Sequence, residues 1–371
     1  MSDLFNKNKS DQKEIAMSGR VSKRNRFGLP MTLMLVIIVT RPVCWAQVTE
    51  VSPVVVTDSV KHNSDDPAIW INKKDLSQSL ILGTDKGKDG KDGALYVFGL
   101  DGKERKEKTF RGLQRPNNVD IAYGLRLQQG ATDIAVCTER NTHSIRVFSL
   151  PDLQPIDNGG IPVFEGDSLR LPMGVALYTD PAGAIYAIVS RKKGPPDQYL
   201  WQYKLVDNGR GIITGQLVRK FGTFSGKKEI EAIAVDNELG YVYYSDEGVG
   251  IRKYHASPDS ANRELALFAS GQFKGDIEGI SIYKKKRGRG YILVSDQQAN
   301  LFHIFPREGT RQDPHRHPLR KTIHTATEAS DGSEVTSVSL PHFPKGLFVA
   351  MSHPRVFHFY RWKDIAGKDL K

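Results

Sequence analysis

Cysteine is almost missing from this chain: Cys44 and Cys137 are the only two among 371 residues. Cys44 falls in an N-terminal segment expected to be removed. A single thiol then remains, which excludes an intramolecular disulfide and leaves stability to packing or bound metal. Cys137 sits in the apolar run IAVC and is expected in the core. Long apolar stretches are also scarce. The run Leu29–Val39 is too short to cross a bilayer as a helix. Extended amphipathic helical patterns are lacking, while 34 Gly and 19 Pro fit many short strands joined by turns.

Around that apolar run, Lys23, Arg24 and Arg26 precede it and Cys44-Trp45-Ala46 follows it. This is the pattern of a secretory signal over residues 1–46, so the protein is expected to be secreted or periplasmic, with no membrane association after cleavage. The polar stretch before Met17 is long for such a signal, and Met17 is the expected true start. Arg41-Pro42-Val43 lacks the small residues that a lipoprotein site before Cys44 would need. Residues 1–46 carry eight Lys/Arg and three Asp/Glu, so the overall charge of +11 falls to about +6 without them. The remaining charge suits either a polyanionic ligand or an ordinary basic surface. Lys284–Arg289 and His315-Arg316-His317 lie between expected strands and read as solvated hairpin tips, so no nucleic-acid partner is expected.

What the chain does have is a repeat. Segments opening at Asp66, Asn118, Met173, Glu231, Glu278 and Glu334 each start a short apolar strand. A second apolar strand in each unit runs out at Lys86, Arg140, Lys192, Glu247, Gln297 and His353. A third, aromatic-rich strand follows. Successive openers are 52, 55, 58, 47 and 56 residues apart, a spacing that fits propeller blades. The expected fold is therefore all-β, one six-bladed β-propeller over residues 47–371. It is closed by an N-terminal strand, Val54–Val60, forming the outer edge of the last blade beside Glu334–Leu340, Gly346–Ser352 and Val356–Trp362.

In a propeller, equivalent positions fall on one ring at one face. Asp65, Asp66, Asn117, Asn118, Asp120, Glu231, Asp276, Glu278, Asp331 and Glu334, with Glu247 and Gln297 from the second strands, would then crowd one channel mouth. So many carboxylates repel unless protonated or neutralised, and calcium accepts such irregular oxygen sets. Lys86, Arg140 and Lys192, from three consecutive units, would face that acidic arc as a phosphate-binding group. The loop KGKDGKDG (residues 86–93) reads either as a flexible tip or as a further calcium loop.

The motifs SDDPAIW (Ser64–Trp70), NNVDI (Asn117–Ile121), DEG (Asp246–Gly248), DIEG (Asp276–Gly279) and SDG (Ser330–Gly332) resemble the β-propeller phytases over essentially the whole chain after residue 46. The resemblance implies a calcium-dependent phosphomonoesterase of the 3-phytase type, acting on myo-inositol hexakisphosphate as a monomer. It implies several calcium ions, with a metal-activated water attacking phosphorus, and a cleavage site beside an affinity site. It places calcium on Asp65 or Asp66, Glu231, Asp276, Glu278, Gln297, Asp331 and Glu334, and phosphate on Lys86, Arg140 and Lys192. Catalysis would fall to Glu231, Glu247, Asp276 and Glu278. Met173 departs from the family, whose members carry tyrosine there. Arg-His-Gly and Cys-x5-Arg phosphatase motifs do not occur. The rival readings are another calcium-dependent propeller hydrolase, a lactonase or phosphodiesterase, and a noncatalytic binding module.

Overall fold

The computed structural model describes residues 50–370. The expected signal and the Met17 start lie outside the described residues. Those described form six antiparallel sheets, one per blade. Blade 1 runs inner to outer through Ser64–Trp70, Leu80–Asp85, Gly93–Phe98 and Phe110–Leu113. Blade 2 begins with Pro116–Leu127, blade 3 with Pro172–Thr179, blade 4 with Ile233–Asp236, blade 5 with Ile280–Lys284 and blade 6 with Ser333–Thr336. No described helix is long and apolar enough to cross a membrane.

The strands read as unbroken apolar runs because most of them are covered on both faces. LILGTD and GALYVF, for example, are buried at every position. The core is correspondingly six wedges, each between neighbouring blades. Ala68, Leu82 and Leu95 of blade 1 pack on Val119, Ala135 and Cys137 of blade 2, and the other clusters repeat this arrangement around the axis. Cys137 is fully buried, as expected, and burial pushes its thiol pKa up.

A hydroxyl near the end of a second strand stitches one blade to the next. The Ser190 Oγ accepts from Gly174 N at 2.9 Å within blade 3 and donates to Ile230 O at 2.6 Å before blade 4. Thr138 Oγ1 likewise donates to Met173 O at 2.7 Å. The inner strands approach so closely that a Cβ on Gly174 would lie 1.8 Å from the Glu231 carbonyl oxygen. Only glycine fits there.

The propeller is closed as expected. Val55–Val56 pairs antiparallel with the Phe359 and His358 region as the outer edge of blade 6. Regular pairing is shorter than Val54–Val60, but the strap goes on as backbone bonds: Val54 N to Phe359 O, Thr57 N to Phe357 O and Val60 N to Arg355 O, at 2.8, 3.0 and 2.9 Å. The Lys284–Arg289 stretch is a hairpin tip between blade 5 strands. His315-Arg316-His317 is not. His317 is buried, with Nδ1 2.7 Å from Pro306 O and its ring 4.6 Å from that of Phe268. Burial and the neighbouring Lys253 pull its pKa down to about 4.

Deleting residues 50–60 removes these strap bonds, each worth about 1 kcal/mol net, and opens a strand edge. A fall in melting temperature of roughly 10 °C or more is expected in calorimetry; unchanged melting would contradict the closure.

Candidate metal and phosphate site

Backbone register, rather than the sequence repeat, decides which residues share a ring. The residue two before the mouth end of each second strand faces the first inner-strand position: Ala232 bonds Ser245, Gly279 bonds Ser295 and Met351 N donates to Gly332 O. Asp66 N donates to Thr84 Oγ1 at 2.9 Å, and in blade 2 Val119 pairs with Cys137 just past an irregularity that follows the Pro116–Glu139 pair. The true ring therefore lies one residue earlier and consists of Asp65, Asn117, Met173, Glu231, Glu278 and Asp331. Met173, Glu231 and Glu278 hold the expected positions. Asp66 and Asn118 are one residue out of register, and Glu334 is three.

Asp66, Asp120 and Glu334 are thus not at the mouth. They line a deeper channel cavity of about 460 Å³. Asp66 accepts from Val119 N at 3.0 Å, and Asp120 from Leu177 N at 2.7 Å. Burial pushes the Asp66 carboxyl well above its usual range and Asp120 to about 6, while burial and then the Asp120 charge push Glu334 to about 8.

The mouth is a separate pocket of about 180 Å³, where Lys86, Arg140 and Lys192 meet Glu231, Glu278, Gln297 and Asp331. Lys86 Nζ lies 3.0 Å from Asp65 Oδ1 and 2.6 Å from Asp331 Oδ2. Burial pulls its pKa down, but Asp65, Asp331 and Glu231 outweigh this and the net shift is upward. Asn117 Nδ2 donates to Asp65 at 2.9 Å, and Gln297 Nε2 donates to Asp331. Lys192 pairs with Glu229 at 2.9 Å. Arg140 has no ion pair among the described residues; its Nη2 contacts the Met173 sulfur and its buried Nε has no partner.

Each ring residue arrives on a loop clamped by the end of its own blade's second strand. Asp85 accepts from His62 N and Asn63 N at 2.9 and 2.8 Å, just ahead of Asp65. Glu139 takes Gln114 N at 2.7 Å, Asp246 takes Ser225 N at 3.0 Å, and Asp296 takes Lys274 N and Gly275 N at 2.9 and 2.7 Å. Blade 3 inverts the charges, with Arg191 donating to Asp167 at 2.6 Å. In blade 6 Ser352 Oγ accepts from Glu328 N at 3.0 Å.

Glu247, Asp276 and Glu278 offer carboxylate oxygens all within 4.8 Å of one another. Two of their buried oxygens, Glu247 Oε1 and Glu278 Oε2, have no hydrogen-bond partner, nor does Asn117 Oδ1. Asp276 is held by Lys228 and by Gln298, whose Nε2 is 3.0 Å from Oδ2. Burial, then the Asp65 charge, pushes Glu231 to about 8; burial, then Glu229, does the same to Glu247. Burial with the charges of Glu231, Glu247 and Asp331 raises Glu278 strongly, and burial with Asp65 brings Asp331 to about 6. Close, unsatisfied, hard oxygens that resist ionisation fit a divalent cation of the calcium type.

Four side chains at the mouth escaped the sequence repeat: Arg115, Lys228, Glu229 and Gln298. They lie on loops entering the inner strands or beside the second-strand ends, and no periodic signal marks them. Arg115, two residues ahead of ring residue Asn117, lines the same pocket as Arg140.

A six-bladed propeller with a carboxylate arc facing cations across one mouth defines a class of metal-assisted hydrolases of anionic substrates. The family model described as Phytase matches residues 32–356. A 3-phytase of Bacillus subtilis (strain 168) is 30% identical over 338 residues, covering 86% of this chain and 83% of the relative. A chain of the Kuenenia stuttgartiensis hydrazine synthase superimposes with a TM-score of 0.48 at 12% identity, over 79% of this chain and 82% of that one. The chain belongs to the phytase family.

Glu231 and Glu247 have folded pKa values raised above the ordinary 4.5. Their contribution to stability is full below about 4.5 and is lost as pH rises through about 8. Chelator-treated protein should therefore melt lower at pH 9 than at pH 6, and excess calcium should flatten that dependence. Scanning calorimetry with and without chelator checks both; a pH-independent melting temperature in chelator would contradict the electrostatics.

Proposed function

We propose that the protein removes phosphate from myo-inositol hexakisphosphate at the channel mouth, using calcium held by the acidic arc. The observation carrying this reading is one pocket shared by Arg140, which has no ion pair among the described residues, and Glu278, whose buried Oε2 has no hydrogen-bond partner. Such a pair of surfaces suits a ligand that is itself anionic and shares cations with the protein.

Glu247, Asp276 and Glu278 would hold calcium, with Glu231, Gln297, Asp331 and Asp65 supplying further oxygens. Asp66 and Glu334, with Asp120, would form a separate, deeper calcium site in the channel rather than part of the mouth. Bound calcium neutralises phosphoryl charge and supplies a water of lowered pKa. Glu231, set between the acidic arc and Arg140, accepts the proton that the attacking water loses. Arg140 binds the phosphoryl oxygens through its fork, and Lys86 and Lys192 add point charges from either side. Lys86, already engaged by Asp65 and Asp331, couples the arc to the phosphate. Secretion after loss of residues 1–46 and action as a monomer belong to the same proposal.

A calcium-dependent lactonase or phosphodiesterase would also use an acidic mouth, but would have no need of Arg140 beside Lys86 and Lys192. Phosphate release from calcium-phytate by the wild-type protein is expected to stop with excess chelator. Glu231→Gln is expected to lower kcat by about 100-fold, the weight of a general base. Arg140→Ala should lower kcat/KM by roughly tenfold or more, as expected for a lost charge-assisted contact. Turnover in excess chelator would overturn the calcium assignment, and an unaffected Arg140→Ala enzyme would favour the rival hydrolases.

A further inference from the structure

Blade 5 delivers Asp276 on a stretch without regular strand pairing, since its inner strand begins only at Ile280. Loop contacts must therefore hold Asp276 beside Glu247 and Glu278. The turn after the second strand supplies them. Asp296 accepts from Lys274 N and Gly275 N at 2.9 and 2.7 Å, Gln297 N donates to Asp276 O at 3.0 Å, and Gln298 Oε1 accepts from Asp276 N at 2.6 Å.

Behind Asp296 stands the buried His303, on the third strand of the blade, Leu301–Pro306. Its Nε2 lies 3.2 Å from Asp296 Oδ2, and its Nδ1 lies 3.0 Å from Thr322 Oγ1. A carboxylate already taking two backbone N–H groups acts as acceptor, so the ring proton belongs on Nε2 and the Thr322 hydroxyl donates to Nδ1, fixing that tautomer. The ring also meets Phe273 edge to face, with centroids 5.0 Å apart. His303 thus grips the Asp276 loop twice, through the Asp296 carboxylate and through the residue just ahead of Lys274.

Two other blades repeat the arrangement. The third residue of the third strand is Arg146 in blade 2, Arg252 in blade 4 and His303 in blade 5. Each pairs in the ladder with the residue two before the clamping carboxylate: Cys137, Tyr244 and Val294. Arg252 Nε donates to Asp246 at 2.8 Å, and Arg146 Nη1 lies 3.6 Å from Glu139. Of these three, blade 5 supports its clamp through a single ring N–H where the others have an arginine fork.

We infer that His303 is a positioning residue for the metal: without touching an ion, it acts through Asp296 and Phe273 to fix the loop carrying Asp276, and so sets the calcium affinity of the arc of Glu247, Asp276 and Glu278. This rests on the calcium reading above. A loop released from its clamp must be ordered by the ion itself, so the loss falls on binding rather than on the chemical step once calcium saturates.

Calcium titrated into metal-stripped protein by isothermal calorimetry tests the assignment, the arc being the component of the isotherm that Glu278→Gln abolishes. His303→Leu, which lacks the N–H, should weaken that component roughly tenfold, the lower end of what an outer hydrogen-bond partner of a metal ligand is worth. His303→Gln, whose amide can donate to Asp296, should recover most of the loss. In phosphate release from phytate, His303→Leu should need roughly tenfold more calcium for half-maximal rate, with kcat at saturating calcium within about twofold of wild type. Tyr283→Phe removes the bond to Lys345 O at the far end of the same blade; it should lower the melting temperature and leave the calcium component unchanged. Should His303→Leu fail to fold, Thr322→Val removes the Nδ1 partner and should weaken the component by about threefold, the weight of one neutral hydrogen bond. Unchanged calcium affinity in the variant that folds, a loss matched by Tyr283→Phe, or no recovery in His303→Gln overturns the assignment. A wild-type isotherm with no component sensitive to Glu278→Gln overturns the calcium reading itself.

Discussion

The mouth of this propeller depends on one recurring contact: the polar residue closing a second strand takes hold of the loop that delivers the ring residue of the same blade. Asp85, Glu139, Asp246 and Asp296 do this by accepting backbone N–H groups, Ser352 does it through its hydroxyl, and Arg191 does it with reversed charge. A buried carboxylate satisfied by backbone donors fixes the loop conformation. The adjacent residue is then free to face the channel, which is where Lys86, Arg140, Lys192, Glu247 and Gln297 stand.

Crowding follows from that scaffold. Asp65, Glu231, Glu278 and Asp331 are brought to one mouth by backbone geometry rather than by attraction for one another, and burial makes the ionised forms of Glu231, Glu278 and Asp331 costly. In the structure the strain is relieved by Lys86 and by the Gln297 amide, and burial raises the pKa of Glu231 and of its neighbour Glu247 to about 8. A site that must give up protons to become fully charged is one whose occupancy by a cation couples to pH and to stability. The same logic separates the mouth from the deeper group of Asp66, Asp120 and Glu334, which is stabilised instead by inner-strand N–H donors.

On the other side, positive charge divides into two kinds. Lys86 and Lys192 are spoken for by carboxylates, whereas Arg140 and Arg115 line the same pocket without a carboxylate partner among the described residues. Met173, which stands where the other ring positions carry polar groups, covers the Arg140 guanidinium with a polarisable but uncharged surface. Anionic substrate groups would thus find their open partners among arginines, and the lysines would connect those groups to the acidic arc.

The number of blades, the apolar strands and the closing N-terminal segment were legible in the sequence, since continuous burial on both faces writes itself as repeated apolar runs. The residue types of the site were legible too, because polar groups at strand ends recur at blade spacing. Register was not. Neighbouring polar residues such as Asp65 and Asp66, or Asn117 and Asn118, look interchangeable in a repeat, yet a shift of one residue turns a side chain to the other face of a strand. In blade 6 the three residues from Asp331 to Glu334 separate the mouth from the deep channel. Arg115 was invisible for a different reason: its place depends on a left-handed backbone held by Arg140 and by the loop of residues 86–93, contacts between segments that no local pattern encodes. The sequence by itself determined the blades and the chemistry available at their ends, and only the packing of six inner strands around one axis decided which of those groups meet.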